Sequence, residues 1–381
     1  MTTTPTPNID SHYAPIVIEH GRRPGDLLRV RKIELPGLPF TGDAWQIVYV
    51  SSDSYHELIP VSGIIVAPEH EPSTGSGPIL VYCPRFHGLG GPAPSQLLPD
   101  GREPETAAIL AALAAGFTVA IPDGEGMGVS GTGPHTFLAS GAAAHVALDI
   151  ARAARGLPDI DASTAPVVAW GYADGGRTAI GAAELSNDYA PDVELRAVAA
   201  GAVVTDPGDL AARLGNGRWS VLGLAGLIGL SRAHQHLPLR HVLTDEGRRI
   251  VSAAEHLTAP QLFEKYRRPL GDWCDRPDPW NDPMWRYVLA REITGLGVPE
   301  VPVHLYQGTA DTIVPSYLGH SLRTHYQAAG TEVTWTEYDT DHTGAAIAGI
   351  AEALERLTRD LNCPRIPPDP ADDDTAGPGH P

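Results

Sequence analysis

The chain has 381 residues, of which 42% are hydrophobic and 19% charged, and its 27 basic side chains stand against 46 acidic ones for a net charge of −19. That length holds one large α/β domain with an insertion, or two modest domains. Its acidity repels phosphate backbones and anionic headgroups, so neither nucleic acid nor a membrane is expected as a partner.

The longest apolar runs, 107–116 and 221–230, are about half the ~20 residues that cross a bilayer. Cys83, Cys274 and Cys363 are too few for a disulfide framework. Free thiols are the default, with a Cys274–Cys363 pair as the alternative.

In chain order, residues 1–15 read as a tail without the basic and apolar regions of a secretory signal, and the protein is expected to be cytoplasmic. Strands are predicted at 45–51, 58–66, 79–83, 117–121, 167–171, 197–203, 303–306 and 333–337. Helices are predicted at 105–115, 137–154, 175–185, 317–328 and 344–361. The alternation implies an α/β class, a mostly parallel doubly wound sheet covered on both faces. Residues 16–205 and 301–363 form its core. Residues 206–300 break the rhythm with helices and clustered tryptophans, and read as a cap over the C-terminal strand edge, where such folds bind ligands. Residues 364–381, rich in Pro, Gly and Asp, read as a disordered tail.

The chemistry centres on Trp170-Gly171-Tyr172-Ala173-Asp174-Gly175-Gly176. A buried strand runs into a sharp turn and a helix, as in the nucleophile elbow G-x-S-x-G, whose small flanking residues let a strained turn lift the nucleophile above the sheet. Gly171 and Gly175 take the flanking positions, which puts Ala173 where the serine belongs. Shifting the register by one makes Asp174 the apex, but Tyr172 then fills a site that needs a small residue. Further on, Asp311 follows a late strand and His342 follows the last one. Apex, acid, base is the chain order of the hydrolase triad.

Other segments carry a resemblance. Asp123-Gly124-Glu125-Gly126-Met127-Gly128 after a strand, Leu148-Asp149 with Arg152-Ala153-Ala154 on a helix, the elbow itself, Tyr189-Ala190-Pro191, and Phe86-His87-Gly88 followed by Ala93-Pro94-Ser95 are similar to segments of the secretory lipases typified by yeast lipase A-like enzymes. The resemblance covers residues 49–361 and implies an α/β-hydrolase fold. It also implies Asp311 as acid and His342 as base, with the N–H of Asp174 and one from the loop of Phe86, His87 and Gly88 as oxyanion donors, and Tyr172 beside them at the substrate. Neither a metal nor a cofactor is called for.

A methyl group cannot attack a carbonyl, so the alanine divides the functional readings. In the first, His342 held by Asp311 is a general base facing backbone oxyanion donors. That pairing suits proton abstraction beside a carbonyl, and the protein is a lyase expelling a carboxylate such as acetate, or water, from an acylated intermediate of natural-product or antibiotic biosynthesis. In the second, it is an ester hydrolase whose serine has been replaced. In the third, it is a catalytically dead pseudo-hydrolase that binds a ligand. All three take a bulky apolar small molecule with an acyl or carbonyl group. His234, His236 and His241 lack a metal-ligand pattern, and Asp272, Asp275, Asp278 and Asp282 lack calcium-loop spacing. Arg85 and His87 flank the oxyanion loop, with anion contact and a structural role both open.

Overall fold

Residues 10–69 and 77–362 are described by a computed structural model. Its strands are β1 (Leu27–Ile33), β2 (Gly42–Ser52), β3 (Leu58–Pro68), β4 (Ile79–Cys83), β5 (Thr118–Pro122), β6 (Val167–Tyr172), β7 (Leu195–Gly201), β8 (Val303–Gly308) and β9 (Val333–Tyr338). They form one sheet in the order β1-β2-β3-β5-β4-β6-β7-β8-β9. From β5 through β9 every neighbouring pair is parallel, while β1, β2 and β3 add an antiparallel edge.

The central strands are apolar throughout because both faces are covered. In β4, Ile79, Val81 and Cys83 enter one core, and Leu80 and Tyr82 the other. The first core lies under the helices Ser140–Arg155 and Asp174–Tyr189, the second under Thr106–Ala114 and Ile350–Leu361. Small side chains let the first two helices close on each other. A Cβ on Gly181 would sit 3.2 Å from that of Ala144. Asp149, fully buried in this layer, accepts hydrogen bonds from Ser51 Oγ at 2.8 Å, Tyr189 OH at 2.7 Å and Arg152 Nη1 at 2.9 Å. Burial still pushes its carboxyl up to about 6.

Between β7 and β8 lie the helices Pro207–Leu214, Ser220–Ala233, Asp245–Ala254, Ala259–Lys265 and Pro283–Arg291. They share a third core, in which Leu224, Leu227, Trp273 and Trp285 meet Leu89 from the loop after β4 and Phe137 and Leu138 from the loop before the helix Ser140–Arg155. A buried polar joint fastens this segment to the elbow helix. Arg177 donates to the carbonyls of Leu138, at 2.6 Å, and Glu292. The Glu292 carboxylate accepts from Ser140 N at 2.6 Å, Ser140 Oγ at 2.8 Å and His234 Nε2 at 2.6 Å.

Three features depart from the sequence reading. Ser11–Tyr13, expected within a tail, is a short 3-10 helix whose Tyr13 is buried and bonded to Ser95 Oγ at 2.8 Å. β1 was not predicted. The last predicted helix is two, His342–Ala348 and Ile350–Leu361, broken at Gly349, where a Cβ would lie 2.4 Å from the Tyr306 ring. Cys83 and Cys274 are free and buried. Cys363, residues 1–9 and residues 364–381 lie outside the described residues. Among the described residues no helix is long and apolar enough to cross a membrane.

Candidate active site

β6 ends at Tyr172, and Ala173 turns the chain into the helix Asp174–Tyr189 with φ 53° and ψ −113°. A non-glycine residue is strained at positive φ, so neighbours must hold it there. Ala173 N donates to Gly201 O at 2.8 Å. The flanking glycines are dictated by close approach. A Cβ on Gly171 would lie 2.2 Å from Gly175 O, one on Gly175 2.0 Å from Cys83 O, and one on Gly176 2.6 Å from Gly201 O. Elbow geometry is therefore complete around the alanine.

Asp311 and His342 meet across the loops after β8 and β9. His342 Nδ1 lies 2.6 Å from Asp311 Oδ2. A carboxylate only accepts, so Nδ1 carries the hydrogen, and the tautomer this selects has its lone pair on Nε2. The acid is held firmly. Its Oδ1 accepts from Ile313 N at 2.8 Å and Val314 N at 2.9 Å, and Gln307 Nε2 reaches Oδ2 at 3.3 Å. The Asp311 side chain is fully buried, while the imidazole is 13% exposed.

A cavity of about 610 Å³ runs past Ala173, Asp174 and His342. Phe86, Phe137, Leu210, Trp219, Leu222 and Phe263 give it apolar walls. Phe137, Leu210, Leu222 and Phe263 carry no signal in the sequence, because the wall is assembled from segments far apart in the chain. The loop of Phe86, His87 and Gly88 forms one side and is clipped to the helical segment. Ala259 N donates to His87 O at 2.7 Å and Leu89 N to Leu257 O at 3.0 Å. Gly88, at φ 133°, has no room for a Cβ, which would lie 2.5 Å from Leu257 O.

Tyr172 is not at the cavity. It is buried, with its ring 5.0 Å from that of His342 and 5.6 Å from that of Tyr306, so it backs the imidazole instead of facing a ligand. The alternation of β6 explains this, since Tyr172 follows Val168 and Trp170 into the second core. His87 is an imidazolium. Its Nδ1 donates to Arg85 O at 2.7 Å and its Nε2 to Glu103 at 2.9 Å. Burial alone would lower it, but the Glu103 bond and charge prevail and raise it to about 9. With Glu103 and Glu105 it makes a group compact enough for a metal ion. These atoms are already committed, however, Glu105 to Tyr82 OH at 2.9 Å and to Arg85 N at 2.8 Å. His234 is tied to Glu292, and His236 Nδ1 to Tyr55 OH at 3.1 Å.

The sequence model of the secretory lipases matches residues 95–365. This chain belongs to the secretory lipase family. A Mycobacterium tuberculosis protein named a probable inactive lipase is 30% identical over 350 residues, covering 86% of this chain and 76% of that one. A secreted triacylglycerol lipase of Malassezia furfur is 23% identical, covering 94% and 71%. Candida antarctica lipase A in its closed state superposes with a TM-score of 0.83 at 20% identity, covering 96% of this chain and 89% of that one, a likeness of fold alone. The α/β-hydrolase architecture expected from the motifs is thus established. The cytoplasmic expectation is overturned, because the family is a secretory one and its Malassezia member is named as secreted. Elimination chemistry, and with it natural-product or antibiotic biosynthesis, finds no support among these relatives.

Proposed function

We propose that this secretory lipase family member holds a lipophilic acyl compound in a hydrolase pocket without forming an acyl-enzyme. The observation that carries this reading is Ala173 at the strained apex, φ 53°, of an otherwise complete elbow. Acyl transfer needs an oxygen there to bond the carbonyl carbon and release its proton to a base. Here the base remains as His342 on Asp311, the N–H groups of Asp174 and of the Phe86–Gly88 loop remain as oxyanion donors, and only the nucleophile is missing. The relative named a probable inactive lipase supports a family branch without turnover. The Malassezia relative's name supports an ester of lipid type as the ancestral ligand.

Residues 206–300 act as the cap in this reading, since Leu210, Trp219, Leu222, Thr258 and Phe263 line the cavity. The pocket's apolar walls and its size, within the usual range for small-molecule sites, suit an alkyl or acyl chain.

The test compares the native chain with Ala173→Ser on p-nitrophenyl butyrate. The serine adds one oxygen facing an open cavity, so folding is unaffected. Removing the nucleophile from a working triad costs about 10⁶-fold in kcat. A gain of at least about 10³-fold with an acyl-enzyme burst is expected, allowing for an imperfect fit. A burst from the native chain would refute the reading, for it would reveal another nucleophile. A silent serine variant that stays folded would show that the pocket has abandoned ester geometry altogether.

A further inference from the structure

Arg85 lines the same cavity as Ala173 and His342, and its geometry is that of a prepared anion receptor. Its backbone N donates to Glu105 Oε2 at 2.8 Å and its Nε to Glu105 Oε1 at 3.0 Å. Glu105 is itself buried and takes a further bond from Tyr82 OH at 2.9 Å. The guanidinium is thus pinned through Nε, while its two Nη nitrogens have no partner among the described residues. The side chain is 29% exposed and lines the cavity. A planar fork with spare parallel donors matches a carboxylate.

The charges around it permit an anion. His87, next but one along the loop, carries a positive charge on its Glu103 partner. Arg102 also lines the cavity, paired to Asp100 at 2.9 Å. Against these stand Glu105, already spent on Arg85, and Asp174, whose carboxyl burial pushes up despite Arg177 and His135 nearby. His342 completes the ring of titratable groups on the wall. Glu105, Glu103 and Asp100 balance Arg85, His87 and Arg102 one for one, so what this apolar room offers an anion is the unengaged fork of Arg85 and not a positive field.

We propose that the pocket's ligand is an amphiphilic carboxylic acid in its anionic form, the carboxylate on the Nη atoms of Arg85 and the alkyl chain against Trp219, Leu222 and Phe263. The proposal rests on the reading of the site as a ligand-holding pocket, and it specifies the headgroup. A hydrolase must let such an acid leave as product, whereas a protein that never forms an acyl-enzyme is free to retain it.

Calorimetric titration at pH 7.5 of the native chain with decanoate and with 1-decanol tests this, since the two share a chain and differ in charge. Decanoate is expected to bind on the order of tenfold or more tightly, the worth of a charge-assisted bond. In Arg85→Gln the preference for decanoate over decanol vanishes, and an unchanged thermal melt shows that the chain is still folded. Arg85→Lys keeps the charge but loses the fork, and retains part of the preference. Equal affinity for both ligands in the native chain overturns the carboxylate assignment and leaves the ligand-holding reading standing, and this comparison needs no variant. A preference that survives Arg85→Gln overturns the role of Arg85. Failure to bind either ligand defeats both the headgroup assignment and the reading beneath it.

Discussion

Replacing Gly175 by alanine probes whether the elbow is held by backbone contact. The added Cβ would lie 2.0 Å from Cys83 O, 2.9 Å from Cys83 C and 2.9 Å from Pro84 O. All three are backbone atoms at or just past the end of β4, where Cys83 pairs with Gly171 of β6, so no side chain can swing away. Overpacking costs about 1–3 kcal/mol where neighbours yield, and the rigidity here puts this change at the upper end, about 3 kcal/mol. Gly141→Ala is the control: it lies inside the helix Ser140–Arg155 with nothing within 4 Å of the new Cβ. It should stabilise by up to about 1 kcal/mol through helix propensity. Urea unfolding of both variants against the native chain reads the difference, about 4 kcal/mol between them. The elbow helix must also move away from β4 in Gly175→Ala, so the serine added at position 173 in that background should fail to give a burst. An unchanged urea midpoint for Gly175→Ala would refute the argument that close approach dictates this glycine.

Two further outcomes follow from the charges. His87 binds its proton up to about pH 9 in the folded chain but only to about 6.5 when unfolded. Between these values the native state holds more protons, so its stability is full below pH 6.5 and falls by up to about 3 kcal/mol as pH rises through 9. Thermal melts across that window should show the loss, and His87→Gln should flatten it. In the Ala173→Ser background, Asp311→Asn should remove most of the ester turnover that the serine restores, up to about 10⁴-fold, with little effect on decanol binding. The amide would leave Nδ1 of His342 without its carboxylate and favour the wrong tautomer. Steady-state kinetics beside calorimetry separates the two effects.

Sequence alone reached the elements whose signal is local. β4 was read at its observed limits and β6 to within a residue, because strands buried on both faces are short unbroken apolar runs. The elbow was legible because its glycines answer backbone contacts within a few residues or on the adjoining strand. Asp311 and His342 were found because each follows a strand, and a parallel sheet delivers successive strand ends to one edge. β1, by contrast, has half-buried Arg29 and Arg31 and exposed Val30 and Lys32, and pairs on one side only, so its pattern is weak until β2 is beside it. The break at Gly349 depends on the Tyr306 ring of β8, far away in sequence. Tyr172 was assigned to the ligand, yet the pleat of β6 turns it behind His342. The cationic receptor is likewise tertiary. Arg85 acquires its orientation from Glu105, and His87 both orientation and charge from Glu103, carboxylates that would be an ordinary helix-start pair without the fold around them. Local backbone constraints are written in neighbouring residues. Which side chains face one another, and in what charge state, depends on burial that only the assembled layers create.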